Sequence, residues 1–388
     1  MANLIVLDEG TKKERYKVMY DVPTLPGQKR KRESKTFPAG TPKREVMQFK
    51  KKVEADVLTM SPTNNHDITF AEAADIFFKY YSLNLETSTM SGYMSIYNRE
   101  DGLKAYFGKM KLKQIDTNTV QMYIAHLHSI GKSQKTISNM IGLFSTIMKQ
   151  CIHLQYIHRN PVEGTILPKK QVNLDVQAYT AEQVQILLNL SKDKPLVYTT
   201  IALGTLAGLR RGEMAALTWD DVVLDKNPYI TINKTRFQVS KNLGFAESTG
   251  EKTPKTNAGI RTIPIPDVLA EILRKQKHRY NLCKIRYGKD FLDSNRVLFK
   301  EDGSEYAVCT ISSRYTEFMK EQTAVPYYSL HKLRHTFASI LASINTPVKD
   351  VQEMLGHSDI KTTMSVYTHG FEASKRTAVA ELNRLISM

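Results

Sequence analysis

The segment His331-Lys332-Leu333-Arg334-His335 carries the sharpest chemical pattern in the chain. On a helix, His331, Arg334 and His335 share one face at i, i+3 and i+4. Leu333, Phe337, Ile340 and Leu341 form a stripe on roughly the opposite side. A packed helix of this kind is expected to present imidazole and guanidinium outward together. Arginine offers phosphate oxygens a rigid fork of donors, and histidine moves a proton near neutral pH. Alone, a His-x-x-Arg spacing is a common chance match. In Ala207-Gly208-Leu209-Arg210-Arg211-Gly212-Glu213-Met214, a helix opening near Leu209 puts Arg210 and Glu213 at i, i+3. A carboxylate there can hold a guanidinium in one orientation, with a plain surface ion pair as the alternative. Thr346-Pro347 opens a further helix with Val348, Val351 and Leu355 inward, and Gly356 closes it. His357 follows in a turn that can aim it sideways. Tyr367 stands ten residues later, at i+3 from Met364, a place usually taken by core or an amphipathic edge. Together the arginines and histidines could steady a negative charge and move protons, while Tyr367 on its own spacing would draw no attention.

The chain that must position them has 388 residues, with 55 Lys+Arg against 39 Asp+Glu and a formal charge of +16. That excess predicts a polyanionic partner, nucleic acid first and an acidic membrane surface second. Apolar residues make up 41%, enough for hydrophobic cores. No apolar run reaches the roughly 18 residues of a membrane span. The opening MANLIVLDEGTKK has acidic residues and lysines where a cleavage site belongs, so it is not read as a signal peptide. Cys151, Cys283 and Cys309 are far apart and odd in number. They argue against a disulfide framework or a zinc site and fit a reducing cytoplasm.

Three parts follow in order. Residues 1–62 are dense in charge, with ten basic and two acidic residues from Gln28 to Lys52. Tyr16, Val18, Tyr20 and Val22 alternate as in a half-buried strand, Arg32 to Phe37 reads as a returning strand, and Thr41-Pro42 opens a helix. A solvated basic face is the plain reading of the charge run, but it needs no alternating aromatics. Residues 63–166 read as all-helical. Thr69 and Glu72 make a capping box ahead of the Phe70, Ala74, Phe77, Phe78, Tyr81 stripe. Val120, Ile124 and Leu127 repeat the pattern before Gly131. Ile137, Met140, Ile141, Phe144, Met148 and Cys151 form the longest stripe, expected to stop at Asn160-Pro161. Gly131-Lys132-Ser133 lacks the first glycine of a P-loop and is set aside. Residues 167–178 read as a linker. In 179–388 helices resume at the Thr180–Gln183 box, a strand region runs from Tyr229 to Pro264 with a polar excursion from Asn242 to Thr253, and a helix covers Val268 to Arg279 before the final helices.

The set as a whole, AGLRRGEMAALTWDDV, HKLRHTFASIL and VQEMLGHSDIKTTMSVYTH in that order, resembles the tyrosine recombinase family, closest to integrases of phages and integrative conjugative elements. The resemblance is strong over the last two hundred residues, moderate over the helical middle and weaker over the first sixty. It implies a multidomain fold: a small α+β N-terminal arm-site DNA-binding domain (three-stranded sheet plus helix), an all-α core-binding domain, and a mainly α catalytic domain with a small β-sheet. It implies that Arg210 and Arg334 are the catalytic arginines, His331 and His357 the two histidine positions, Tyr367 the nucleophile, and Glu213 the acid supporting the first arginine. The family's lysine precedes a basic-x-Ile-Pro strand. Pro254-Lys255-Thr256 before Arg261-Thr262-Ile263-Pro264 makes Lys255 the match, with Lys252 as the rival.

The resemblance further implies a site-specific DNA recombinase working through a covalent 3′-phosphotyrosyl intermediate, with no cofactor and no metal. The alternatives are a type IB topoisomerase-like enzyme and a catalytically silent DNA-binding protein on the same fold. Its partners would be double-stranded DNA at core and arm attachment sites, further copies of itself in a tetramer on DNA, an excisionase and a host DNA-bending protein, with no membrane. Its place would be the cytoplasm of a bacterial host, at the nucleoid. In the first part, Lys29, Arg30, Lys31, Arg32, Lys35, Lys43 and Arg44 are the candidate DNA contacts. A terminal helix from Glu372 to Met388, with Val379, Leu382 and Ile386 on one face, is expected to dock on a neighbouring protomer or fold back on its own domain.

Overall fold

The alternation of Tyr16, Val18, Tyr20 and Val22 becomes the middle strand of a three-stranded antiparallel sheet in the computed structural model of the chain. The structure describes residues 2–11, 14–22, 31–59, 68–83, 85–169, 178–239, 249–254, 259–360 and 363–364. The chain forms two compact units, Met1–Val172 and Asn173–Met388.

In the first unit β1 (Ala2–Leu7), β2 (Arg15–Val22) and β3 (Lys31–Phe37) pair in that order, and α1 (Lys43–Thr59) follows Thr41-Pro42. Val18 lies opposite Lys35, and Tyr16 opposite Phe37. Because side chains alternate across a strand, Tyr16, Val18, Lys35 and Phe37 share one face. There Val18 and Phe37 are buried with Val46 of α1. Lys35 thus stands on the helix-covered face, its ammonium 4.5 Å from the centre of the Phe49 ring. Arg32, Ser34 and Thr36 belong to the opposite face, paired with Asp21, Met19 and Lys17, and all three are exposed.

The same unit holds a helical core built from α2 (Phe70–Ile76), a π-helical turn (Phe77–Tyr81), α3 (Thr87–Asn98), α4 (Leu103–Phe107), α5 (Thr117–Ser129) and α6 (Gln134–His153). The capping box forms as expected: Thr69 N–H donates to Glu72 Oε2 at 2.7 Å and Glu72 N–H to Thr69 Oγ1 at 3.3 Å. α6 buries Ile137, Met140, Ile141, Phe144, Met148 and Cys151 together. It stops at His153, short of Asn160-Pro161. Gln155 takes a left-handed φ of 59°, and the chain turns back. Asn160 is buried, its amide donating to the Ser145 hydroxyl at 2.9 Å.

The second unit contains α7 (Ala181–Ser191), α8 (Pro195–Leu206), α9 (Arg211–Ala216), β4 (Val222–Val223), β5 (Tyr229–Ile232), β6 (Thr235–Gln238), β7 (Thr249–Lys252), β8 (Arg261–Pro264), α10 (Asp267–Tyr287), α11 (Val308–Glu321), α12 (His331–Ser343) and α13 (Val348–Leu355). α8 has no polar face, and residues 199–205 are all buried. A helix apolar all round must lie inside, and α7, α10, α11 and α12 pack around it. β4, β5 and β8 form one sheet in that order, and β6 pairs with β7 as a separate hairpin. The polar excursion is corrected at its end, where Thr249–Lys252 is strand because Arg236 and Glu251 lie opposite each other and the Phe237 ring covers Gly250. The helix expected over 268–279 runs on to Tyr287. Among the described residues no helix is long and apolar enough to cross a membrane.

Candidate active site

Gly208 starts the site. Its φ of +64° turns the chain sharply between α8 and α9, and a side chain there would run into Phe337 at 2.5 Å. After the turn Arg210 is the N-cap of α9 rather than a member of its first turn. Its backbone N–H and its Nη1 each donate to Glu213, both at 2.8 Å. The i, i+3 pairing is as expected, but it works as a capping box that fixes backbone and guanidinium together.

Arg334 departs from expectation. The spacing in α12 presents it outward, yet it is 3% exposed. α12 is covered on more than its apolar stripe, so the guanidinium is satisfied inside. Nη1 donates to the Gly208 carbonyl at 2.7 Å and Nη2 to the Leu355 carbonyl. Its Nη1 lies 4.0 Å from Glu213.

A third arginine joins the site that the sequence reading named only as a strand residue. Arg261 opens β8 and makes a two-pronged pair with Glu213, at 2.9 and 3.1 Å, with both side chains 6% exposed. The signal was present: Arg261 sits two residues before Ile263, on the inward face of a strand, and a buried guanidinium demands a carboxylate. Its Nε donates to the Met354 carbonyl at 2.7 Å, and Arg210 Nη2 donates to that of Gly356 at 3.1 Å. The last carbonyls of α13, on Met354, Leu355 and Gly356, therefore each receive a different arginine. These are groups that a helix end leaves without intrahelical partners.

Burial alone would raise the Glu213 carboxyl, but Arg261 and then Arg210 overcome it and hold it at about 2. It stays ionised at any pH the protein meets. Burial and then Arg210 push Arg334 down to about 9, and it remains charged at neutral pH. Three guanidiniums thus share one carboxylate, and Arg210, the most open with 38% of its side chain exposed, carries the excess toward solvent.

Gly356 closes α13 with a left-handed φ of 63°, as expected, and His357 follows. His357 Nδ1 is 3.0 Å from Thr363 Oγ1, and desolvation, then Arg334 and Arg210, push the ring down to about 4. His331, at the start of α12, is exposed. It is shifted below its ordinary value by desolvation and then by Arg334 and Arg210. Both shifts favour the neutral imidazole at pH 7. His335 stands edge-on to His331, ring centres 5.1 Å apart.

Lys255 and Tyr367 lie outside the described residues, as do Lys29, Arg30 and the expected terminal helix. The rival Lys252 ends β7, its ammonium 5.6 Å from the centre of the Phe237 ring. In the N-terminal sheet Lys31 opens β3, and Arg32 pairs with Asp21 at 3.0 Å. Lys43 and Arg44 are exposed in the first turn of α1.

Residues 177–373 match the Phage integrase family, and residues 69–128 match the Phage integrase, N-terminal SAM-like domain. The chain belongs to the phage integrase family. It is 23% identical over 363 residues to the ICEBs1 integrase of Bacillus subtilis, covering 91% of this chain and 93% of that one. It is 29% identical over 288 residues to a tyrosine recombinase XerC-like protein of Caldanaerobacter subterraneus, covering 71% and 73%. Among solved structures, the Tn1549 transposon integrase in complex with transposon right end DNA shares the fold with a TM-score of 0.64, at 21% identity over 82% of this chain and 99% of that one. A lambda integrase dimer bound to a core site gives 0.59, at 16% identity over 94% of each chain. This phage integrase family member is a tyrosine-type site-specific DNA recombinase, and the topoisomerase-like and silent readings are not favoured.

Proposed function

We propose that this integrase integrates and excises a mobile element by attack of Tyr367 on a scissile phosphodiester at the Arg210–Arg334 cluster. The observation that carries the reading is the Glu213-centred guanidinium set, which leaves positive charge uncompensated beside two neutral imidazoles. The Tyr367 oxygen would bond phosphorus as the bond to the 5′ oxygen breaks, leaving a 3′-phosphotyrosyl link that a partner strand's 5′-hydroxyl reverses. Arg210 and Arg334 would neutralise charge growing on the non-bridging oxygens. His331 would take the tyrosyl proton, His357 would hydrogen-bond the phosphate, and Lys255, with Lys252 as rival, would protonate the departing 5′ oxygen.

The surrounding organisation follows from the same reading. Residues 1–62 would bind arm sites, 63–166 would bind the core site, 179–388 would carry the catalytic residues, and 167–178 would link these two parts. On the sheet, alternation favours Arg32, with Lys17, Ser34 and Thr36, as the DNA-facing set, since α1 covers the Lys35 face. Four copies would assemble on DNA, with an excisionase and a host bending protein setting direction, at the bacterial nucleoid.

The deciding experiment uses Tyr367→Phe, which removes one oxygen and keeps the ring. It should abolish the covalent protein–DNA adduct on denaturing gels with DNA binding unchanged, while wild-type cleavage survives EDTA. An adduct that persists would move the nucleophile elsewhere, with Tyr327 or Tyr328 next. Loss of strand cleavage in EDTA would overturn the metal-free chemistry.

A further inference from the structure

Four charged side chains outside the arginine cluster fasten the β6–β7 hairpin to it. Arg236 and Glu251 lie opposite each other in register, with Nε 3.8 Å from the carboxylate. Arg236 Nη2 also bonds Glu305. Arg296 completes the ring, its Nε 3.3 Å from Glu305 and its Nη2 bonded to Glu251. The two arginine side chains are only 7% and 11% exposed. The two arginines are largely covered while Glu251 and Glu305 reach solvent, and removing one carboxylate leaves each guanidinium with a single charged partner.

Two further contacts tie this ring to the helix that carries Arg210 and Glu213. Arg296 Nη1 donates to the carbonyl of Ala216, the last residue of α9. At the other end of α9, a Cβ on Gly212 would meet Thr235 Oγ1 at 2.4 Å and the Arg236 carbonyl at 2.7 Å. Only glycine lets the helix lie so directly on the backbone of β6. β6 also packs on α9 and α11, with the Cys309 N–H donating to Gln238 Oε1 at 3.0 Å, whereas β7 contributes no buried residue and is tied through Glu251. With no buried face of its own, β7 has a register that burial specifies only weakly, so its ion pairs matter more.

Glu251 immediately precedes Lys252, and Lys255 follows three residues later. The geometry points to a positioning role for the Arg236–Glu251–Arg296–Glu305 ring: it holds β7, with Lys252 at its end, against the helix that carries Arg210 and Glu213, so that the hairpin lysine can protonate the leaving 5′ oxygen. These four are positioning residues that act through the lysine. The inference rests on the proposed assignment of a hairpin lysine as the general acid.

The test compares two full-length variants, Glu305→Gln and Arg296→Lys, on a core-site duplex taken from the element's own attachment junction. The duplex carries either the normal 5′ oxygen or a 5′ sulfur at the scissile bond. Sulfur leaves without a proton, so a misplaced acid costs nothing on that substrate. Both variants should cleave the oxygen duplex roughly ten- to a hundredfold more slowly, as expected of a small displacement of a reacting group, and the sulfur duplex within about twofold of wild type. Equal slowing on both duplexes would make the ring a merely structural feature, and no slowing on either would remove it from the reaction. Lys255→Ala and Lys252→Ala run beside them. If neither lysine variant is rescued by sulfur, the general-acid assignment fails and the positioning role falls with it. If one is rescued while the ring variants are not, the assignment stands and only the positioning role is overturned.

Discussion

Replacing Glu213 by glutamine removes one charge at constant volume from the place where three guanidiniums meet. The structure gives two routes to the cost. The carboxyl is held at about 2 instead of its ordinary 4.5, and that difference amounts to roughly 3 kcal/mol at about 1.4 kcal/mol per pH unit. Independently, removing one partner of a buried ion pair costs about 3–5 kcal/mol, and here the amide would aim donors at the Arg261 guanidinium. Both routes put the loss near 3 kcal/mol at neutral pH. Trp219 is the only tryptophan in the chain and is buried in the same unit. Its fluorescence through a urea titration therefore reports this unit alone. The sign of the pH dependence follows from the lowered carboxyl. The stabilisation is complete above pH 4.5 and is lost as pH falls toward 2, because the unfolded chain takes up the proton first. The wild-type advantage should be level through neutral pH, shrink below 4.5 and close near 2. Cleavage should fall by roughly 10²–10³ as Arg210 loses its orientation. A gap below about 1 kcal/mol at pH 7 would place the pair among weak surface bridges, and a gap that stays constant down to pH 2.5 would separate it from Glu213 ionisation. Either result refutes the reasoning.

Gly208→Ala should lower stability by about 1–3 kcal/mol, combining left-handed backbone strain with the contact against Phe337. It should also slow cleavage, since the Gly208 carbonyl holds Arg334; unchanged thermal unfolding and rate would remove the turn from the account. In the N-terminal sheet, Arg32→Ala and Lys17→Ala should weaken arm-DNA binding and flatten its salt dependence more than Lys35→Ala does. The reverse order in a titration at two salt concentrations would mean that the helix-covered face meets DNA.

What the sequence made legible was set by local rules. The capping boxes at Thr69 and Thr180 and the alternation of β2 are written within a few residues, and they formed where expected. The pairing of Arg210 with Glu213 is equally local. The burial of Arg334 was not legible, because it depends on carbonyls 126 and 21 residues away. A spacing argument sees which residues share a helical face, but not which face a neighbouring turn will cover. Arg261 was missed for the same reason: its partner is 48 residues distant, and its strand was read only as a landmark for the lysine. The early end of α6 turns on Gln155 adopting a conformation rare for a side-chain-bearing residue, which no propensity scale anticipates.

The arrangement of the arginines explains how three guanidiniums can stand together around one carboxylate. Guanidiniums crowded together repel, and such a cluster would tend to open. Here the repulsion is met from two sides. Glu213 supplies a full negative charge, and the C-terminus of α13 adds roughly half a charge spread over carbonyls that each take one arginine. Those two contributions cover about half of the three positive charges. What is left is of the order of the single charge on a phosphodiester and emerges at Arg210, the arginine with the most open side chain. A scissile phosphate bound there, as proposed, would complete a neutralisation that the protein leaves unfinished. Because the same carbonyls end α13 just before His357, the arginines that would receive the phosphate also fix the position of the imidazole that would touch it.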